Sequence, residues 1–513
     1  MTGVPRPNPR EIALHEVLSV LAGSDVRLHG DSSACITGIE LDSRLIRPGD
    51  LFAALPGHVG HGIAFAQSAV SRGAVAILTD SIGRQALNPS VSGMLPVIEV
   101  TSPRQWLGAI STYVYGNAAA DVSIFGVTGT NGKTTVAYML EAGLREAGHT
   151  TGIIGTIGIR IGDAEVTASR TTPEAPHLHA LLGAMKEAGV DAVAVEVSSH
   201  AIQEGRVDAV RFQVAGFTNL SQDHLDYHGT MDAYFASKAA LFTSERCVQA
   251  VIGIDDEWGR RLAAESTVPL VTWSMSTADS RADWTLQRRD EHWEVHGPGG
   301  EVQALQMPLP GDFNRANALC AYAMLRQGGV PAESAASGIA KVRVPGRMER
   351  VPAGLALGEV IGIVDYAHSP DAIEQAIHSV REQSPGRVIV VIGAGGDRDR
   401  AKRPLMGAGA ARLADVVIVT DDNPRTEDPA AIRAEVLEGA MSVMSAGHVE
   451  HVPDRRAAID FAVACAGPGD TVLVLGKGHE QGQEIAGVTT PFDDRIELGR
   501  ALEARHAASG GIR

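Results

Sequence analysis

The sequence predicts an α/β protein of three units, and three observations lead to that reading. Short apolar runs recur along the chain with helical stretches between them, the alternation that a parallel sheet covered on both faces produces. Hydrophobic content is 44% with only 4% aromatic, so the cores are to be built from Ala, Val, Leu and Ile, the usual makeup of parallel layers. A chain of 513 residues also exceeds what one hydrophobic core holds. The pattern divides it into units at 1–102, 103–345 and 346–513.

In the first unit, a small α/β unit, residues 11–22 read as a helix and strands are expected at 36–41, 51–54, 74–78 and 97–100. Between them, Asp42-Ser43-Arg44 and Pro56-Gly57-His58 are polar clusters that fit turn chemistry and a binding role equally well. A helix over 103–115 then leads to the stretch around which the chain is organised. The apolar run 122–127 meets Gly126-Val-Thr-Gly129-Thr130-Asn131-Gly132-Lys133-Thr134-Thr135, and an amphipathic stretch over 136–147 follows. Strand, glycine-rich turn and helix are the setting of a phosphate-binding loop, whose backbone N–H groups and helix N-terminus face one anion. In such a loop Lys133 reaches the terminal phosphates and the Thr134 hydroxyl ligates Mg²⁺. The generic pattern has glycine five positions before Gly132, where this chain has Val127, so the loop is a variant. Further strands are expected at 152–154, 192–197, 214–217, 250–254 and 270–273, and an antiparallel hairpin over 281–306 around Gly297-Pro-Gly-Gly.

The third unit has strand runs at 360–365, 387–392, 416–420 and 471–475, with helices such as 371–381 and 454–466 between them. Open parallel sheets bind ligands beyond the carboxyl ends of their strands. At those ends lie Asp365-Tyr-Ala-His368, Gly395-Gly-Asp-Arg-Asp-Arg400, Asp422-Asn423-Pro424-Arg425 and Gly476-Lys-Gly-His-Glu480. This is a Rossmann-like unit without the dinucleotide fingerprint, because Arg398 and Gln481 fill the last position of each candidate G-x-G-x-x-G. It reads as a substrate domain.

The formal charge of −17 argues against nucleic acid as the main partner. Cys35, Cys247, Cys320 and Cys465 are far apart and read as buried small hydrophobes in a reducing compartment. No stretch has the length of a signal peptide's apolar core at the N-terminus or of a membrane span elsewhere, so a soluble cytoplasmic protein without membrane insertion is expected.

In the central unit, Glu196-Val-Ser-Ser-His200 follows a strand, where a second Mg²⁺ ligand after a phosphate loop belongs. Asn219 to His228 crowds acidic residues and histidines into one loop, and Lys238 interrupts an otherwise apolar helix, from which it would ordinarily snorkel to solvent. Taken with Asn314-Arg-x-Asn317 and Asp365-Tyr-Ala-His, these motifs resemble the Mur ligases, ATP-dependent amide-forming enzymes of peptidoglycan precursor synthesis. The resemblance runs in consistent order from about Ile39 to Glu480.

It implies that the three units bind a UDP-sugar peptide, ATP and an amino acid in turn. Leu41, Ser43 and His58 match UDP contacts, and Thr171, Thr172, Ser198 and Arg206 match contacts to the sugar–peptide. Gly129 to Thr135, Asn314, Asn317, Arg347 and Asp365 match the ATP site, with His368 beside it. Thr134, Glu196, His224 and a carbamylated Lys238 match Mg²⁺ ligands. The family often has glutamine where Glu204 stands here, so Glu204 is not assigned. Asp422-Asn-Pro-Arg425 resembles the members that add meso-2,6-diaminopimelate to UDP-MurNAc-L-Ala-D-Glu; Arg398, Gly476 and Glu480 match the rest of that pocket, with Glu480 placed for the distal ammonium. A guanidinium fork suits the distal carboxylate that diaminopimelate has and lysine lacks. Addition of lysine, extension of folate with glutamate, and a nucleotide switch or motor are the rival readings. A monomer is expected. Lys133, Lys238 and His368 are the catalytic candidates; no side chain stands out as general base.

Overall fold

The computed structural model describes residues 4–21, 25–57, 60–167, 170–276, 282–290, 292–307, 309–352, 360–443 and 447–510. His58 lies outside the described residues, as do Ala22 and Arg281 at the ends of two expected elements. Among the described residues three large sheets, one in each unit, carry the fold.

The central sheet has eleven strands. Its middle is parallel, in the order Thr151–Ile154, Ala192–Glu196, Ser123–Thr128, Phe212–Phe217, Cys247–Gly253, Leu270–Ser274 and Trp284–Arg289. Ala-Val-Ala-Val-Glu at 192–196 is buried throughout, the continuous apolar run of a strand covered on both faces. One core packs the helix Lys133–Glu146 and the helix Asp312–Gln327 against one face; the other packs Ala175–Glu187 and Met231–Ala239 against the opposite face. In register, Glu196 lies beside Val127 and Phe217 beside Thr128. That pairing brings the phosphate loop, Glu196 and the segment after Phe217 to one carboxyl edge.

The expected hairpin over 281–306 is instead a three-stranded antiparallel meander, Trp284–Arg289, His292–Gly297 and Glu301–Leu305. Its Gly-Pro-Gly-Gly turn joins the second and third strands; the first turn passes through Asp290 at φ +52. A second hairpin, Ile159–Ile161 with Ala164–Val166, extends the other edge and has no expected counterpart.

The first sheet runs Arg27–His29, Val97–Glu99, Ala76–Thr79, Asp50–Ala53, Gly38–Glu40, parallel except for the first strand. The expected strand at 36–41 is split, Cys35–Ile36 pairing separately with Ile12–Ala13, and the helix begins only at Leu14. The third sheet runs Glu349–Val351, Ile361–Asp365, Thr471–Leu475, Val388–Ile392, Val416–Val419, His448–His451, again parallel after an antiparallel edge. The fully buried Arg455–Asp494 pair, 2.6 Å apart, anchors the last helix, Asp494–Gly510. Arg455 also donates to Leu475 O at 2.8 Å and Asp421 O at 3.3 Å, fixing two strand ends of the third sheet.

Among the cysteines, all free, Cys247 and Cys320 are buried as expected, but Cys35 and Cys465 are exposed. No helix among the described residues is long and apolar enough to cross a membrane.

Candidate active site

The phosphate loop leaves strand Ser123–Thr128 and enters helix Lys133–Glu146 through Gly132 at φ +89. Gly129 lies at φ +150, and a Cβ there would fall 1.9 Å from Thr218 Oγ1; at Gly132 it would fall 2.2 Å from Asn317 Oδ1. Both positions therefore need glycine. Gly132→Ala is expected to raise the KM for ATP about tenfold through strain and loop displacement. Initial rates of ADP release against ATP concentration check this, and an unchanged KM would detach the loop from the nucleotide.

Around the loop, Thr130 N–H donates to Asn219 O at 2.9 Å and Asn131 N–H to Asn219 Oδ1 at 3.0 Å. Lys133 Nζ turns back on its own loop, donating to Gly129 O at 2.9 Å and Thr130 O at 2.8 Å. Desolvation lowers the Lys133 ammonium, against the opposing pull of Glu196 and Asp223. Lys238 does not reach solvent as a snorkelling lysine would. It is 1% exposed, donates to the same Gly129 O at 2.8 Å, and lies 4.6 Å over the Tyr234 ring. Burial, then the Lys133 charge, drives its amine far below the ordinary lysine value.

Glu196 is buried, accepting from Thr134 Oγ1 at 2.9 Å and from Thr156 N–H and Oγ1 at 2.8 and 3.0 Å. Burial pushes the nearby His224 imidazole down to about 4, leaving a neutral ring whose Nε2 is 3.5 Å from Asp223 Oδ2. Among the described residues no three His, Cys, Asp or Glu side chains form a ready-made metal cage. The buried carboxylate and threonine hydroxyl nevertheless fit Mg²⁺, which takes few protein oxygens and completes its shell with phosphate and water.

The third unit closes one wall of this cleft, whose volume is about 360 Å³. Arg347 donates to Thr134 Oγ1 at 3.1 Å and stacks 4.4 Å over Tyr366, and among the described residues its buried Nε has no hydrogen-bond partner, as suits a donor awaiting an anion. Asp365 accepts Met348 N–H at 2.7 Å and Ala367 N–H at 2.8 Å, so its carboxylate shapes the turn that carries Arg347. His368 sits on the cleft wall with Nδ1 2.8 Å from Tyr366 O. Desolvation, then the Lys402 charge, pushes its imidazole down to about 4, although the residue is exposed on the cleft wall. Asn317 lines the cleft, whereas the buried Asn314 donates its Nδ2 to Pro310 O at 2.7 Å.

Thr171 Oγ1 meets Thr156 Oγ1 at 3.0 Å at the mouth, but the fully buried Thr172 hydroxyl donates to Glu196 O at 2.7 Å and accepts Ser198 N–H at 3.1 Å. Arg206 donates to Thr172 O at 3.2 Å and is paired with Glu204 at 2.6 Å and Glu174 at 3.2 Å. Glu204, left unassigned on sequence, thus holds Arg206. In the first unit Glu40 Oε1 accepts Leu41 N–H at 2.9 Å and Asp42 N–H at 3.1 Å, shaping the turn that ends in the buried Ser43.

Arg398 lines the cleft, and the other amino-acid candidates cluster at the carboxyl edge of the third sheet. Arg425, at φ +54, donates Nη1 to Gly396 O at 2.5 Å and is only partly exposed. A Cβ at Gly476 would fall 2.4 Å from Asp422 Oδ2. Pro424 is buried against Gly396, where a Cβ would fall 1.9 Å from Pro424 O. Asn423 Nδ2 donates to Glu480 Oε2 at 2.7 Å. Sequence reasoning missed Lys477, fully buried, which donates to Asn423 Oδ1 at 2.9 Å and lies 3.2 Å from Glu480 Oε2. It also missed Thr156, which the rule of strand carboxyl ends would have found beside Glu196.

Comparison with known proteins gives this geometry its relatives. Residues 35–115 match the Mur ligase family, catalytic domain; 127–325 match the Mur ligase middle domain; and 346–478 match the Mur ligase, glutamate ligase domain. The UDP-N-acetylmuramoyl-L-alanyl-D-glutamate--2,6-diaminopimelate ligase of Streptomyces coelicolor is 50% identical over 92% of this chain and 94% of its own. The enzyme of the same name from Corynebacterium glutamicum is 46% identical over 94% and 95%. A solved structure of a ligase of that name superposes with a TM-score of 0.64 at 31% identity, covering 97% of this chain and all of the other. The chain belongs to the Mur ligase family.

Proposed function

We propose that the protein is an ATP-dependent ligase adding meso-2,6-diaminopimelate to UDP-N-acetylmuramoyl-L-alanyl-D-glutamate, giving the UDP-MurNAc-tripeptide of peptidoglycan synthesis. The observation that carries the choice of amino acid is the Arg425 guanidinium, held at the carboxyl edge of the third sheet by its bond to Gly396 O. The family membership and the phosphate loop support the ATP-driven chemistry. In this reading residues 1–102 bind the UDP-sugar, 103–345 bind ATP, and 346–513 bind the amino acid and close about Pro345-Gly346. The protein works as a cytoplasmic monomer.

The terminal carboxylate of the D-glutamyl residue attacks the γ-phosphate, giving an acyl phosphate and ADP. The amine of diaminopimelate attacks the acyl carbon, and phosphate leaves. Two anions must meet in the first step, so positioning and charge neutralisation carry most of the catalysis. Lys133 swings from the loop carbonyls to the phosphates, and the unpartnered Nε of Arg347 offers a second donor. Thr134, Glu196, His224 and the carbamate of Lys238 would hold Mg²⁺, which would supply Lewis-acid neutralisation of the phosphate oxygens. Leu41, Ser43 and His58 hold the UDP; Thr171, Thr172, Ser198 and Arg206 frame the sugar–peptide, the buried Thr172 through its bonds to the strand ends. Asn314 and Asn317 take the adenine side, Asn314 by shaping the helix start. His368, on the cleft wall, is the remaining catalytic candidate that the family motifs supply.

Radiolabelled diaminopimelate and lysine offered with the UDP-muramoyl dipeptide and ATP test the assignment. Incorporation of diaminopimelate is expected; preference for lysine, or ATP hydrolysis indifferent to either amino acid, would overturn it.

A further inference from the structure

The structure assigns Glu40, with His177 and Arg6, a positioning role for the UDP-sugar peptide: the buried carboxylate fixes the turn that receives the UDP and ties it to the helix behind the sugar–peptide contacts. The inference rests on the proposed reading of the first two units and goes beyond it, since the family motifs assign none of these three residues a role.

Glu40 ends the strand Gly38–Glu40 with its side chain only 2% exposed. Its Oε1 accepts Leu41 N–H and Asp42 N–H, the start of the turn that carries Leu41 and Ser43. From the second unit, His177 Nε2 donates to the same carboxylate, 2.9 Å from Oε1 and 3.1 Å from Oε2. From the N-terminal arm, Arg6 donates Nη2 to Glu40 Oε2 at 3.2 Å and Nη1 to Asp50 Oδ1 at 2.6 Å. Asp50 accepts Arg47 N–H at 2.8 Å, so Arg6 joins the entrance of the turn to its exit. His177 stands in the first turn of helix Ala175–Glu187, shortly after Thr171 and Thr172. The arm is fastened to that same helix: Asn8 N–H donates to Glu187 Oε2 at 2.9 Å, and a Cβ at Gly183 would fall 2.8 Å from Pro7 Cγ.

Burial opposes the Glu40 charge, but the His177 hydrogen bond and charge, then the Asp42 N–H and Arg6, hold the carboxyl below its ordinary value. A buried ion pair adds little net stability over apolar packing of the same volume. What these charges supply is direction, because each donor must meet a lone pair of one carboxylate. Glu40 thereby sets the spacing between the turn for the nucleotide end of the substrate and Thr171-Thr172 for its sugar–peptide end. A ligand that spans two units binds more tightly when that spacing is held before it arrives, since binding need not order the boundary.

The test separates one end of the substrate from both, using UDP alone and UDP-MurNAc-L-Ala-D-Glu. His177→Ala removes the tie and leaves the turn's own bonds to Glu40. The KM for UDP-MurNAc-L-Ala-D-Glu should rise about tenfold, the loss of one hydrogen bond to a buried charge, with the Kd for UDP, the KM for ATP and kcat unchanged. His177→Gln, whose amide nitrogen can donate to the same carboxylate, should recover most of that loss. Glu40→Gln also slackens the turn, so the Kd for UDP and the KM for UDP-MurNAc-L-Ala-D-Glu should both rise. A merely structural role would lower the melting temperature and, through the active fraction, kcat, and would leave each KM alone. That outcome, or a Kd for UDP that rises as far as the KM does in His177→Ala, would overturn the inference and leave the functional reading standing. A wild-type enzyme that binds neither UDP nor UDP-MurNAc-L-Ala-D-Glu would overturn both together.

Discussion

Lys238→Ala is expected to lose ligation by about a thousandfold in kcat, the scale of a removed electrostatic contact to the transition state. A short-chain carboxylate such as acetate should restore part of it. The reason lies in one carbonyl oxygen. Lys133 and Lys238 both donate to Gly129 O, at 2.9 and 2.8 Å, and two buried ammonium ions cannot share an acceptor cheaply. Lys238 is the more buried, and its ammonium is the more disfavoured of the two. In the proposed carbamate role the neutral amine would add CO₂: an N–C bond forms, a proton leaves, and the cation becomes an anionic oxygen ligand. The site would then hold one positive and one negative group where two positive ones repel. Acetate can supply that carboxylate to the space the alanine leaves.

The same shift has a sign in stability. The folded pKa of unmodified Lys238 lies well below the 10.5 of a free lysine, so between that depressed value and pH 10.5 the unfolded chain binds the proton that the folded chain refuses. Stability contributed by this group therefore falls as pH drops through that window. Lys238→Met should accordingly melt higher than the wild type in CO₂-free buffer at pH 7, although it is inactive. Full activity in the alanine variant would end the carbamate role; a melting point in the methionine variant no higher than wild type would end the account of the shift.

Which parts of this arrangement could be read from the chain follows from how far apart in sequence the cooperating residues lie. The phosphate loop was legible because its glycines, Lys133 and Thr134 are contiguous, and the parallel strands because burial on both faces leaves runs such as Val-Ile-Val-Val-Ile at 388–392. Edge strands were not. Glu349–Val351 and His448–His451 are short and mostly polar, since one side of each faces solvent, and no periodicity marks them. The loss of snorkelling at Lys238 depends on Gly129, 109 positions away, and the Arg455–Asp494 anchor spans 39. Neither pairing leaves a local trace. The hairpin that holds Arg425, Gly482–Ile485 with Val488–Pro491, is half-buried in its first strand, exposed in its second, and bears no apolar alternation, so its packing against Arg425 emerged only from its hydrogen bonds.

Arg425→Lys separates the charge at that pocket from its geometry. The KM for diaminopimelate should rise about thirtyfold or more, because an ammonium keeps the charge but cannot make two parallel hydrogen bonds to a carboxylate. Both side chains meet the same backbone strain at φ +54, so the comparison isolates the head group. The guanidinium uses Nη1 to fix itself on Gly396 O and keeps its remaining donors for the ligand; a lysine must spend its single nitrogen on both tasks. In the proposed reading the contact lies at the far end of the amino acid from the attacking amine and is as strong before the transition state as in it. Its loss therefore falls on KM and leaves kcat near the wild-type value. Lysine should remain a poor substrate, since the variant still presents a cation where its chain ends. Steady-state kinetics with both amino acids at saturating ATP and UDP-dipeptide give the answer directly. A lowered kcat at unchanged KM would move Arg425 from substrate recognition to domain closure, and an unchanged KM and kcat would remove it from the pocket.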